Sequence, residues 1–189
     1  MREKQADFIK RLQDTPVIGA IKDENGLKKV LQSDCTVVFI LYGSIMNIPE
    51  TVRRIKESGR MALIHIDLIE GLSTKDVCVD YIAEKTSADG ILSTRVNIIR
   101  HAQELGMVTV QRFFLLDSMS LSNIFRQPLK ADAIDVMPGV MPGVIRYLAK
   151  KTTMPIIASG LLSSKKDIIS ALSAGAQAIS TTRIDLWDV

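Results

Sequence analysis

The sequence predicts an α/β protein that closes into a single (β/α)8 barrel. Eight short apolar runs alternate with amphipathic segments, and their starts advance by 18 to 28 residues, close to one strand, turn, helix and turn. The runs are apolar on both faces, as in Val37-Val38-Phe39-Ile40-Leu41 and Met61-Ala62-Leu63-Ile64. That pattern belongs to parallel strands with helical cover rather than to a sheet with one wet face.

Residues 3–13 form the first expected element, a helix with Phe8, Ile9 and Leu12 on one side. Strands are expected at 16–22, 35–42, 61–67, 89–93, 107–113, 133–137, 155–159 and 177–181. Helical patterns fall between them at 24–32, 49–58, 74–85, 96–105, 121–128, 144–151 and 165–174. Gly59, Gly106 and Gly175 each follow a helical pattern, where a residue of positive φ ends the helix and a strand begins soon after. Only seven residues follow Thr182, so the last helix is expected to be truncated. The N-terminal helix is expected to cover part of the surface that an eighth helix would occupy. The chain thus reads as one compact barrel of the TIM type over 1–189, with residues 1–14 as the N-terminal helix and 16–182 as eight βα units. The structural alternative, an open doubly wound sheet, lacks a Gly-x-Gly-x-x-Gly after the first strand in its dinucleotide-binding form.

Composition narrows the function classes. With 47% hydrophobic and 24% charged residues over 189 positions, the chain has the makings of one sizeable core and no room for a second domain. No run approaches the roughly 20 apolar residues of a membrane span, and the charged N-terminus lacks a signal-peptide apolar region, so a cytoplasmic setting with no membrane partner is expected. Cys35 and Cys78 stand 43 positions apart and are expected as buried thiols rather than a disulfide. The net charge of +3 permits an RNA or phosphate partner without demanding one.

A barrel of this type carries its site at the strand C-termini, and the loops after strands seven and eight commonly hold phosphate on backbone N–H groups. Strand seven runs into Ser159-Gly160-Leu161 and strand eight into Thr181-Thr182, small or glycine-bearing ends that let an anion approach the backbone. These five are the candidate phosphate-binding residues. Other strand ends contribute Lys22, Asp67, Glu70, Arg112, Pro138 and Gly139. Asp67 or Glu70 would hold ligand hydroxyls and Lys22 or Arg112 would balance an anion, while Arg112 has the competing reading of pairing with a core carboxylate. His65 shares a face with Asp67 one layer deeper and reads as a core histidine. Two histidines and two scattered cysteines give no metal-ligand spacing, no cofactor motif is present, and no catalytic acid–base pair stands out. For nucleic acid, Arg53, Lys56 and Arg60 share one helical face, with Arg146, Lys150 and Lys151 as a second cluster; neither is accompanied by an aromatic stacking set.

Longer strings carry a family likeness: Pro16-Val17-Ile18-Gly19-Ala20-Ile21-Lys22, His65-Ile66-Asp67-Leu68-Ile69-Glu70-Gly71-Leu72, Asp89-Gly90-Ile91-Leu92-Ser93-Thr94, Gln111-Arg112-Phe113-Phe114-Leu115-Leu116-Asp117-Ser118, Met137-Pro138-Gly139, Pro155-Ile156-Ile157-Ala158-Ser159-Gly160-Leu161, Gly175-Ala176-Gln177-Ala178-Ile179-Ser180-Thr181-Thr182 and Leu186-Trp187. Over essentially its full length the chain resembles the glycerol uptake operon antiterminator regulatory proteins of low-GC Gram-positive bacteria. The resemblance implies a barrel used as a sensor. Such a protein binds glycerol 3-phosphate and, when loaded, binds and stabilises the leader of a glycerol-catabolism messenger RNA so that transcription reads through a terminator. The phosphate half of this is also read from the residues, whereas the RNA half comes from the resemblance alone. The sequence leaves homo-oligomerisation open. The competing class is a barrel enzyme, an isomerase or aldolase acting on a small phosphorylated metabolite, with Lys22, His65, Asp67 and Glu70 as its candidate groups.

Overall fold

The structure is a computed structural model that describes residues 2–126 and 131–189. Eight parallel strands, β1 (Val17–Ile21), β2 (Val37–Ile40), β3 (Met61–His65), β4 (Gly90–Ser93), β5 (Val108–Phe114), β6 (Ala133–Met137), β7 (Ile156–Ser159) and β8 (Ala178–Thr181), pair in sequence order. The ring closes where β8 pairs with β1, Val17 opposite Ile179 and Gly19 opposite Thr181. The expected barrel is the observed one.

Each of β1 to β7 is followed by a covering helix: α2 (Glu24–Val30), α3 (Ile48–Glu57), α4 (Val77–Lys85), α5 (Val96–Glu104), α6 (Ser118–Asn123), α7 (Pro142–Lys151) and α8 (Lys165–Ser173), and α1 (Glu3–Asp14) precedes β1. The core has two parts, as period-two strands require. Ile18, Phe39, Leu63, Val110 and Ile157 belong to the inner part, while Ile21, Ile40, Ile64 and Ile91 belong to the larger part that packs with the helices. Both cysteines are free and buried, as expected, and burial pushes the Cys35 thiol up to about 11. Among the described residues no helix is long and apolar enough to cross a membrane.

Three details depart from expectation. The helix expected at 121–128 begins earlier, at Ser118, because Asp117 caps it: the carboxylate accepts the Ser120 amide at 2.7 Å and the Ser120 hydroxyl returns to Asp117. It also ends earlier than expected, at Asn123, with a turn over 124–126; the expected end at Pro128 itself lies outside the described residues. The strand expected to reach Asp67 stops at His65, and a 3-10 turn, Ile66–Leu68, follows.

The third concerns α1, which does not take the place of an eighth outer helix. Its Phe8 and Leu12, almost fully buried, join the inner cluster. Arg2 reaches the Met107 carbonyl at 2.8 Å and Asp132 at 2.7 Å, and Arg11 reaches the Gly59 carbonyl at 3.1 Å. These partners all sit just before strands, so α1 stoppers the N-terminal end of the barrel. The wall over β8 and β1 is closed instead by the chain end, where the expected truncation is a single 3-10 turn, Ile184–Leu186. Trp187 is buried there and its Nε1 donates to the Thr181 carbonyl at 2.9 Å.

Candidate functional site

At the C-terminal end of the barrel, the loop leaving β7 turns through two successive residues of positive φ, Gly160 at 76° and Leu161 at 61°. A leucine held there is strained by about 1–3 kcal/mol, a feature that clusters at ligand sites. The loop leaving β6 lies directly against this turn. The Gly139 amide donates to the Gly160 carbonyl at 3.1 Å, and a Cβ on Gly139 would stand 2.8 Å from the Ser159 nitrogen, so only glycine allows the approach. Beyond the turn, Asp167 and Ser164 cap α8 reciprocally. Asp167 accepts the Ser163 and Ser164 amides, both at 2.9 Å, and these donors hold its carboxyl below the usual range. Those two amides are therefore occupied, and the backbone left to face an anion is the 160–162 turn rather than the start of α8.

This turn and the end of β8 enclose a cavity of about 440 Å³. Its lining includes all five expected phosphate residues, Ser159, Gly160, Leu161, Thr181 and Thr182, together with Arg112. Arg183, which the sequence reading passed over, lines it too, its guanidinium bound to Asp185 at 2.7 and 2.9 Å. The available signal was its position directly after the two threonines. Lys22 faces a neighbouring opening of about 450 Å³ that shares Ala20, Thr182 and Arg183 with the first. Asp67, Glu70, Pro138 and Gly139 are not among the residues that line the cavity, although Gly139 supports its floor.

Below the cavity lies a buried polar network. Arg112 donates from Nε to Asp135 at 2.5 Å, and the Ser159 hydroxyl donates to the other Asp135 oxygen. Asp135 is fully buried and the other two nearly so. The competing reading of Arg112 thus describes its Nε edge, while the residue still reaches the cavity wall. Ser159 has one hydroxyl proton, committed to Asp135, so what it offers an anion is its backbone rather than its hydroxyl. Asp135 was not singled out from the sequence; a carboxylate inside an otherwise apolar strand was the signal.

His65 is buried with its Nδ1 unpartnered among the described residues. Burial and the Arg112 charge push its pKa down to about 4, against an opposing pull from Asp67, whose carboxylate stands 3.9 Å away. Asp67 itself accepts the Ser93 hydroxyl at 2.7 Å, the Thr94 amide at 2.8 Å and the Thr94 hydroxyl at 2.9 Å. It ties β3 to β4, with that much less capacity for ligand hydroxyls. Glu70 lies in a loop held through its backbone, its carbonyl accepting the Ile45 amide at 2.8 Å.

Of the two clusters considered for RNA, the one on α3 and the turn after it, Arg53, Lys56 and Arg60, is engaged within the chain. Arg53 pairs with Glu50 and Glu57, Lys56 with Asp89 at 2.7 Å, and Arg60 reaches the Ser33 and Cys35 carbonyls. They do not form a free cationic strip. Among the described residues no cluster of His, Cys, Asp or Glu is arranged to hold a metal ion.

Fold and cavity together define the class: a TIM-type barrel with an opening at the strand C-termini, between the ends of β7 and β8. Within that class the chain belongs to the glycerol-3-phosphate responsive antiterminator family, whose family model matches residues 17–187. It is 38% identical over 178 residues to the Escherichia coli (strain K12) "uncharacterized protein YgcP", covering 93% of each chain. Among solved structures it is similar to the glycerol uptake operon antiterminator regulatory protein of Listeria monocytogenes, with a TM-score of 0.86, 29% identity and coverage of 90% of this chain and 94% of that one. A glycerol uptake operon antiterminator-related protein of Thermotoga maritima gives a TM-score of 0.81 at 27% identity, covering 92% and 98%. Deoxyribose phosphate aldolase from Aeropyrum pernix, at 17% identity and a TM-score of 0.68 over 96% and 95%, shares the fold alone. Membership in an antiterminator family points to a regulatory role.

Proposed function

We propose that the chain is a cytoplasmic sensor that binds glycerol 3-phosphate and, when loaded, binds and stabilises the leader of a glycerol-catabolism messenger RNA, causing antitermination. The observation that carries the ligand half is the convergence of the strained Gly160-Leu161 turn, Thr181, Thr182 and two arginines on one cavity. The phosphate sits on the 160–162 backbone and the backbone at Thr181 and Thr182. Arg112 and Arg183 supply positive charge, and Lys22 reaches the same ligand from the adjoining opening. Gly139 braces the 160–162 turn from the β6 loop, whereas Asp67, Glu70 and Pro138 stand outside the cavity lining and hold no part of the ligand. The RNA half is supported by family membership.

A ligand changes RNA affinity only by binding two states of the protein unequally, and the β6 and β7 loops, hydrogen-bonded to each other through Gly139 and Gly160, are where the two states would differ. The enzyme reading has less support, since His65, Asp67 and Glu70 are not among the residues lining either the cavity or the adjoining opening, which leaves Lys22 without any of its candidate partners there.

Gly160→Asp tests the site. Aspartate tolerates positive φ better than most residues, and its Cβ would meet only the flexible end of Met137, at 2.6 Å from Cε, so the barrel should fold. The carboxylate then repels the phosphate. Calorimetry should show loss of glycerol 3-phosphate binding with an unchanged circular dichroism spectrum; retained affinity would place the phosphate elsewhere.

A further inference from the structure

The positive charge of the chain is concentrated in one segment. Residues 140–173 hold Arg146, Lys150, Lys151, Lys165 and Lys166 against the single acid Asp167, a net +4, while the remaining 19 basic and 20 acidic residues leave a net −1. Asp167 is turned inward to cap α8, so it does not offset the five. All five are exposed, and among the described residues no ion pair or side-chain hydrogen bond engages them. On α3, by contrast, Arg53, Arg54 and Lys56 are each held by carboxylates, and the lysines elsewhere that have no ion pair, such as Lys4, Lys10, Lys28 and Lys29, lie in segments where acids offset them.

The five lie on neighbouring helices, α7 and α8. On α7 the pairs Arg146/Lys150 and Tyr147/Lys151 are each four residues apart and share a face. On α8, Lys165 and Lys166 precede Ile169 on the exposed side. Lys165 and Lys166 stand at the ligand end, and Lys150 and Lys151 at the opposite end of a ten-residue helix, so the cations span about 15 Å. Tyr147, 46% exposed, stands among them.

We propose that this α7–α8 face is the surface on which the chain holds single-stranded RNA, the five cations meeting phosphates and Tyr147 stacking under a base. The assignment rests on the antiterminator reading and deepens it. Unpaired cations in a row around an aromatic face match a flexible polyanion with π-faced bases. The two helices are also those whose leading loops meet at the ligand cavity, through Met137 on one side and Ser159 to Ser163 on the other. Ligand therefore touches the roots of both helices that carry the RNA surface.

Phosphate contacts are sequence-independent, so a random-sequence single-stranded RNA is an adequate probe. Its affinity is measured by fluorescence anisotropy with glycerol 3-phosphate present, across a salt series. A variant carrying Arg146→Ala, Lys150→Ala, Lys165→Ala and Lys166→Ala should bind at least about tenfold more weakly at low salt, with a log K against log salt slope shallower by up to about 3, at roughly 0.7 per lost contact. Tyr147→Ala should weaken binding by about fivefold or more and leave the slope unchanged. A charge-matched variant, Lys4→Ala, Lys10→Ala, Lys28→Ala and Lys29→Ala, should bind as wild type does. Wild-type affinity in the face variant, or equal loss in the charge-matched one, overturns the face while leaving the proposed function intact. Poly-glutamate bound more tightly than RNA, and released by the face variant, would give the face to an acidic protein and overturn the RNA assignment. Absence of RNA binding by the wild-type protein, loaded or not, removes the RNA half of the function and this inference with it. Calorimetric binding of glycerol 3-phosphate by each variant reports folding and the sensor half separately.

Discussion

Asp135 lies at zero exposure between Arg112 and Ser159, directly beneath the cavity. A buried ion pair adds little over an apolar pair of the same shape, but breaking it strands a charge and costs about 3–5 kcal/mol. Asp135→Ala should therefore lower unfolding stability by about that amount, and the Arg112→Met/Asp135→Leu double variant by much less. Urea denaturation of both decides it; equal losses would mean that the pair is not coupled. His65 makes a second prediction. Its folded pKa is about 4 against an ordinary 6.5, so between those values the unfolded chain binds more protons. Its contribution is complete above about pH 6.5 and is lost as pH falls through about 4. From pH 7 to pH 4.5 wild type should lose about 2–3 kcal/mol more stability than His65→Gln. Parallel loss in the two would contradict a buried neutral imidazole.

Among the elements, α1 and the chain end show what periodicity does and does not reveal. The apolar side of α1, with Phe8 and Leu12, is plain in the sequence, but amphipathicity says only that a face is buried and not where. Its position follows from Arg2 and Arg11, which reach carbonyls at the strand starts more than 20 residues away along the chain. Phe8→Ala should cost about 3–5 kcal/mol and Leu12→Ala about 2–5 kcal/mol, read from urea midpoints. Losses below about 1 kcal/mol would mean that α1 does not plug the barrel. The strands, by contrast, are legible because their length and two-sided apolar character leave few alternatives, as Val37 to Ile40 and Met61 to Ile64 illustrate. The start of α6 is missed because Asp117 and Ser120 lie before the apolar pattern, where capping rather than hydrophobicity sets the boundary.

For the whole molecule, the cavity draws on residues from β1 to β8 that only closure of the ring brings together. The glycine and threonine ends of β7 and β8 are readable in advance, since chain chemistry and barrel geometry both point to them. The pairing of Asp135, the inward cap at Asp167 and the cavity position of Arg183 depend on neighbours distant in sequence, and no local pattern carries them. The central claim is that this assembled cavity receives glycerol 3-phosphate without transforming it. Phosphorus NMR of glycerol 3-phosphate titrated with the protein and followed for hours, beside inorganic phosphate and glycerol 1-phosphate, tests it most directly. The account predicts broadening or a shift selective for glycerol 3-phosphate and no new resonance. A new resonance would make the barrel an enzyme, and an unperturbed signal would remove the ligand.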